Sequence, residues 1–274
     1  QAKDLNLLTL VASQMSKDWE LEHMPGNPAG TNVGGTFNFT PKNTCPVTNP
    51  SEEATFLKFF PGATYDANKI IYSEYKYGRN DDGTAKYHVA PYALFVEPVG
   101  EDYCYIAVRG TLNAPDAGLD IQANLVMSPF GIGKGLVAQG FNKAFVGLGW
   151  TSDADAGRPN PDRTYTIPGQ TLYNALSTTA RTKIRIGGHS LGAAVATSVA
   201  ALAATLNKFE VIESYPSAGP QMGNIGFARW FKGLATTTGT KINDHFTRII
   251  NRQPDGTWND IVPSLPGYEP VGEA

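Results

Sequence analysis

Gly188-His189-Ser190-Leu191-Gly192 sets a hydroxyl between small residues two positions away on either side. A serine at the apex of a tight strand-to-helix turn exposes its Oγ, and small flanking residues let the backbone pass close to neighbouring elements. Such a serine is a nucleophile when a base takes its proton and when N–H groups face the oxyanion that develops. The following helix aims the positive end of its dipole at that charge, and the backbone N–H of Leu191 is the natural first donor. In a chain with 29 glycines the pentapeptide alone also reads as a Gly-rich turn. His189 adjoins the serine on the wrong side of the turn to serve as its base, and reads as a packing or supporting residue.

The elements needed to place this serine are visible on both sides of it. Residues 183–187 form a short strand pattern and 193–206 an Ala-rich helix suited to close packing on a sheet. Upstream, 69–77 and 87–97 are β-branched and aromatic, and Tyr103-Cys104-Tyr105-Ile106-Ala107-Val108 is a dense apolar run that ends at Arg109-Gly110-Thr111, as a buried strand would. Helical patterns fall at 136–147 and 169–180, and further strands at 209–214 and 246–251. Leu5, Leu8, Val11, Met15 and Trp19 recur at helical spacing. Residues 24–50 are rich in Pro, Gly and Asn, and 112–135 lose periodicity. Strands alternating with helices predict an α/β fold with a mostly parallel central sheet and helices on both faces.

Composition narrows the function classes. The 274 residues carry a formal charge of −3 with no Lys/Arg cluster, which argues against nucleic acid as a partner. The length accommodates one domain, 1–274, with a full core, and no apolar run reaches the roughly 18 residues needed to span a bilayer. Two cysteines and four histidines exclude a Cys-only zinc site, and no metal or organic cofactor is implied. Cys45 and Cys104 form one bridge or two unrelated buried thiols. Asn38-Phe39-Thr40 is a glycosylation sequon, meaningful for a chain secreted by a eukaryote.

Five stretches occur in order: Ile106-Ala107-Val108-Arg109-Gly110-Thr111, Gly140-Phe141, the Gly188-His189-Ser190-Leu191-Gly192 turn, Ala218-Gly219-Pro220-Gln221-Met222-Gly223-Asn224 with Phe227-Ala228, and Asp260-Ile261-Val262-Pro263-Ser264-Leu265-Pro266. Together they resemble the class 3 lipase family of α/β-hydrolases, which includes filamentous-fungal triacylglycerol lipases, feruloyl esterases and phospholipases A1. Ala218 replaces the first Gly of the fourth stretch, and Ala193 replaces the family's usual second Gly after the serine. The resemblance implies an α/β-hydrolase fold with Ser190 as nucleophile and Asp260 as the carboxylate that orients the base, Asp255 being the runner-up. It also implies Thr111 and Leu191 as the oxyanion hole and 112–135 as a lid-like region. That stretch carries Leu112, Ala114, Leu119, Ile121, Leu125, Val126, Met127, Phe130 and Ile132, which suits either an apolar mobile cover or a plain buried loop.

The base is the gap. The family's histidine follows its aspartate, whereas the last histidine here is His245, before Asp260. Three explanations stand: a C-terminal segment or partner chain supplies it, His245 or His88 has moved into the role, or the chain is a lipase-like scaffold with impaired turnover. The first is the working expectation. The expected activity is carboxylic ester hydrolysis by a secreted lipase that contacts a lipid–water interface, with a feruloyl or short-chain esterase and a lipid-binding scaffold as alternatives.

Overall fold

The structure is a computed structural model that describes residues 8, 9, 11–13, 70–79, 81, 83, 85–98, 100–111, 114–120, 122–152 and 170–249. Five strands form the central sheet: β1 (Ile70–Arg79), β2 (Ala85–Val96), β3 (Tyr103–Val108), β6 (Lys183–His189) and β7 (Val211–Ser217), in the spatial order β1-β2-β3-β6-β7. The β1–β2 and β2–β3 pairs are antiparallel, and the β3–β6 and β6–β7 pairs are parallel. The sheet is therefore mixed, and the half that carries the candidate site is the parallel half. Parallel bridges at Ser214–Phe246 and Ser217–Ile249 extend it beyond β7, where a strand was expected at 246–251.

Burial follows the chemistry of each strand. In β3 every residue after Tyr103 is buried, as a strand covered on both faces requires, whereas β7 alternates buried and half-buried positions. The helix after β6, α4 (Leu191–Thr205), is buried at every residue from 191 to 204. Its Ala-rich surface permits the close approach to the strands beside it, and a helix apolar on all sides belongs inside a protein. The other helices are α1 (Ala114–Asp120), α2 (Gln139–Gly147), α3 (Leu172–Thr178) and α5 (Ile225–Gly233). Thr171 caps α3 through the N–H of Asn174, and Asn224 caps α5 through that of Phe227. One continuous apolar core runs from Ile71 to Phe246.

Two expectations change. The helix predicted over 136–147 begins only at Gln139, because Leu136–Ala138 form β5, paired antiparallel with β4 (Leu125–Met127) in a small separate hairpin. The aperiodic stretch 112–135 contains α1 and β4. The residues of the N-terminal amphipathic pattern that are described, 8, 9 and 11–13, are helical, and the rest of that pattern lies outside the described residues, as does 24–50.

The Cys45–Cys104 bridge is also corrected at one end. Cys104 is a free, buried thiol inside β3, and its Sγ lies 3.5 Å from the Lys183 carbonyl it donates to. Burial pushes that thiol up to about 12, so it stays protonated and unreactive. Cys45 lies outside the described residues.

Candidate active site

Ser190 stands where β6 ends and α4 begins, with φ 54° and ψ −127°. This is a conformation that L residues avoid, and a non-Gly residue held there costs on the order of 1–3 kcal/mol. The surroundings impose it. Ser190 N–H donates to the Ser217 carbonyl at 3.0 Å, and Ala193 N–H donates back to the Ser190 carbonyl at 2.8 Å. Ser217 Oγ donates to the Gly188 carbonyl at 3.2 Å. The turn is thus tied to β7 on one side and closes on itself on the other.

The two glycines of the pentapeptide are dictated by distance. A Cβ on Gly188 would lie 2.2 Å from the Gly192 carbonyl oxygen, and one on Gly192 would lie 2.1 Å from the Arg109 carbonyl oxygen. The second approach joins this turn to the end of β3. Gly110 completes the junction: a Cβ there would sit 2.8 Å from the His189 carbonyl oxygen and 3.5 Å from Ser190 Cβ. The structure therefore brings Arg109-Gly110-Thr111 and the serine turn together, as the sequence implies.

Of the predicted oxyanion residues, Leu191 is the first residue of α4, where a helix N–H has no intrahelical acceptor. Thr111 is half-buried, and its Oγ1 donates to Asp120 Oδ2 at 2.6 Å. One residue before Gly110, the Arg109 side chain is completely buried. Its Nη1 lies 2.5 Å from Asp116 Oδ2, both partners being fully buried; Nε donates to the Pro91 carbonyl and Nη1 to the Gly110 carbonyl, at 2.8 Å each. Tyr75 donates to the other oxygen of Asp116, and the guanidinium stacks 4.4 Å from the centre of the Tyr92 ring. Burial raises the Tyr75 phenol, and the adjoining Asp116 carboxylate raises it further.

Asp116 and Asp120 are absent from the expectations. The signal available was two carboxylates four residues apart in an apolar stretch directly after Arg-Gly-Thr, a spacing that sets both on one face of a helix.

The histidines fall into three groups. His189 is exposed, its backbone abutting Gly110. His245 ends a 3-10 turn, Ile242–His245, four residues before Ile249. Ile249 pairs with Ser217, which is level with His189, so His245 lies about 13 Å below the serine end of the sheet. His88 is opposite Tyr75 on the β1–β2 pair, its ring 5.4 Å from that of Tyr75. It stands five residues along β2 from Ala93, the partner of Val108, on the same side of that level as Ser190, which lies two residues past the Gly188 paired with Val108; it is therefore offset from the serine by about 10 Å along the strand direction and by two strands across the sheet. Neither takes the position of a base beside Ser190. His23, Asp255 and Asp260 lie outside the described residues.

The rim of this edge is formed by β4–β5 and the loop after β7. Ala138 N–H donates to the Met222 carbonyl at 2.9 Å, and Val137 bridges Gly223. Leu136 N–H donates to Asn224 Oδ1 at 3.0 Å, and Arg248 Nη2 holds the Gly219 carbonyl at 2.6 Å. The apolar residues expected to form a cover divide here. Leu119 is buried and Phe130 packs between Phe145, Trp150 and Trp230, whereas Leu125, Met127 and Ile132 are exposed, Ile132 by 90%. Among the described residues no three His, Cys, Asp or Glu side chains gather as metal ligands.

Comparison with known proteins agrees with this geometry. The profile described as Lipase (class 3) matches residues 105–269. No curated protein matches the chain. Among solved structures, the chain is similar to a fungal lipase in complex with an inhibitor, with 18% identity and TM-score 0.53, covering 97% of this chain and 76% of that one. It is similar to a triacylglycerol lipase whose catalytic centre is a serine-protease triad, with 18% identity and TM-score 0.51 over the same shares. It is also similar to M37 lipase, with 17% identity and TM-score 0.51, covering 95% of this chain and 69% of that one. These likenesses carry the fold, an α/β-hydrolase.

Proposed function

The chain belongs to the class 3 lipase family, a family of serine ester hydrolases, and from that premise we propose that it hydrolyses carboxylic esters of long-chain acids, triacylglycerol foremost, through an acyl-Ser190 intermediate. The observation that carries the proposal is the strained φ of 54° at Ser190, held against the Arg109-Gly110-Thr111 corner. Strain of this kind persists only where surrounding contacts impose it, and it clusters at reacting groups.

In the proposed reaction Ser190 Oγ attacks the ester carbonyl and a histidine takes its proton. The carbonyl oxygen becomes an oxyanion facing the N–H groups of Leu191 and Thr111, while the bond from Thr111 Oγ1 to Asp120 holds that residue in place. Collapse of the tetrahedral intermediate expels the alcohol, which receives the proton from the imidazolium, and water then releases the acid by the same steps in reverse. Asp260 is the proposed partner of the histidine. The base is sought outside the described residues, because His88 and His245 are both remote from the serine.

Contact with a lipid–water interface is supported by the exposed Leu125, Met127, Ile132 and Leu136 on the β4–β5 hairpin, at the same edge as Ser190. An extracellular location is proposed with it, on the family and the Asn38-Phe39-Thr40 sequon.

The decisive experiment is labelling of the intact chain with an alkyl p-nitrophenyl phosphonate. Stoichiometric labelling of the wild type, abolished in Ser190→Ala, is expected. No labelling of the wild type would leave the lipid-binding scaffold as the reading. Parallel assays with triolein, methyl ferulate and p-nitrophenyl acetate then assign the substrate class, with triolein expected to be preferred.

A further inference from the structure

We propose that the β4–β5 hairpin and the outer face of α5 form a docking surface selective for an anionic phospholipid bilayer, with Lys134, Arg229 and Lys232 as the selecting charges. It rests on the interfacial contact in the reading above and adds the chemistry of the surface that draws the chain in.

Charge is distributed unevenly along the chain. Residues 121–152 and 214–243 contain Lys134, Lys143, Arg229, Lys232 and Lys241 and no Asp or Glu, although the whole chain carries a formal charge of −3. No Lys/Arg run marks them, because Lys134 and Arg229 lie on elements that meet only in the fold. A Cβ on Gly135 would lie 2.0 Å from Phe227 N, so the hairpin rests on the first turn of α5. Leu136 N–H donates to Asn224 Oδ1, and Asn224 N–H donates back to the Leu136 carbonyl at 2.9 Å. Lys134 Nζ then stands 5.8 Å from the centre of the Trp230 ring.

Side chains sort by face on both elements. Val126 pairs with Val137, which is fully buried, whereas Met127 pairs with Leu136 and both are exposed, as the alternation of a strand requires. On α5, Phe227, Ala228 and Phe231 are buried. Ile225, Arg229 and Lys232, four and three residues apart, form one outward stripe; Ile225 and Arg229 are exposed and Lys232 is half-buried. Among the described residues, no carboxylate pairs with Lys134, Arg229 or Lys232. Apolar side chains thus project between cations whose charge no neighbour neutralises.

An anionic bilayer matches each part of this surface. Ile132, Met127 and Leu136 reach the acyl boundary, while Lys and Arg lay their stems along it and keep their charges among the head groups. Trp side chains favour the same depth. Each cation near an anionic leaflet strengthens binding about fivefold, and a neutral oil surface offers the three cations no such gain. The loop from β7 to α5 also touches the serine turn, since a Cβ on Gly219 would stand 2.6 Å from Ala193 Cβ. Docking here therefore turns the Ser190 end of the sheet toward the bilayer.

The test uses the intact chain carrying Ser190→Ala, so that no lipid is consumed, with vesicles of phosphatidylcholine alone or of equimolar phosphatidylcholine and phosphatidylglycerol. Co-sedimentation is expected to show binding about 100-fold tighter to the mixed vesicles, a preference that about 0.5 M NaCl removes. Lys134→Gln, Arg229→Gln and Lys232→Gln together are expected to weaken binding to mixed vesicles about 100-fold and to phosphatidylcholine by less than about twofold. Ile132→Ser is expected to weaken both about equally. Lys241→Gln is the control: it changes the net charge by the same step as Arg229→Gln but lies in the turn beyond α5, where Lys241 bridges Ala235, and binding is expected to stay within about twofold.

Equal binding to the two vesicles, a preference that survives salt, or an equal loss from Lys241→Gln and Arg229→Gln would overturn the proposal. A lipid-free dimer in sedimentation velocity that Ile132→Ser dissolves would assign the patch to a second copy of the chain and overturn it as well. Phosphonate labelling reads a separate property. A wild type that takes no label sinks the ester-hydrolase reading, while the vesicle series alone still decides the docking surface.

Discussion

Gly192 shows how little room the serine turn has. A methyl group there would overlap the Arg109 and Val108 carbonyl oxygens at 2.1 and 2.6 Å, and both belong to a buried strand end that has nowhere to go. Gly192→Ala is therefore expected to destabilise the protein by at least about 2 kcal/mol, the range of overpacked cores, and to abolish phosphonate labelling of whatever folds. Urea unfolding midpoints and labelling stoichiometry check the two parts separately. Ala193, next along, is tolerated for a local reason. It faces Gly219, where a Cβ would stand 2.6 Å from Ala193 Cβ. The methyl group that this chain adds at 193 is accommodated by the hydrogen at 219. Ala218, which replaces a family glycine, sits at φ 48°, so that substitution leaves the loop geometry in place at the cost of strain.

Among the elements, α1 and the β4–β5 hairpin divide the stretch that the sequence offers either as an apolar cover or as a buried loop. The helix was illegible because its buried face is closed by an ion pair: Asp116 is as buried as Leu119, so no apolar period of 3.6 appears over its seven residues. The hairpin was illegible for a different reason, since three-residue strands are too short to show alternation. Its glycines at 131, 133 and 135 all adopt positive φ and carry Ile132 out at the tip. Ile132→Ser combined with Met127→Ser is expected to weaken adsorption to triolein emulsion about tenfold or more, from the transfer energy of two apolar side chains. Hydrolysis of soluble p-nitrophenyl acetate should be unaffected. A parallel loss on both substrates would remove the hairpin from the interfacial role.

At the scale of the whole molecule, what was legible and what was not follow from the range of the interactions. The β3 and β6 strands, the serine turn and α4 are written in contiguous residues, and the corner at 109–111 carries its own short signature. The pairing of Arg109 with Asp116 and Tyr75, the free thiol at Cys104 and the remote places of His88 and His245 depend on strands that meet only after folding. His88 also has a global consequence. Burial lowers it to about 4, against an added pull upward from Asp116 and a smaller one downward from Arg109. The folded state therefore keeps it neutral where the unfolded chain, near 6.5, takes up a proton. Its contribution is present in full above about pH 6.5 and is lost as pH falls toward 4, up to about 3 kcal/mol. Urea midpoints at pH 7 and 4.5 should drop steeply in the wild type and less in His88→Gln; equal drops would exclude His88 as the source.

The contact between Gly192 and the Arg109 carbonyl also ties chemistry to folding order. Ile106 and Ile186, partners on β3 and β6, are 80 residues apart in the chain, and contacts this distant in sequence form slowly because a long loop must close first. Neither the strain at Ser190 nor the Thr111 corner exists until those parallel strands are side by side. A reactive serine is thus a late product of folding, and the protein cannot acquire its nucleophile while β3, β6 and β7 are still unpaired.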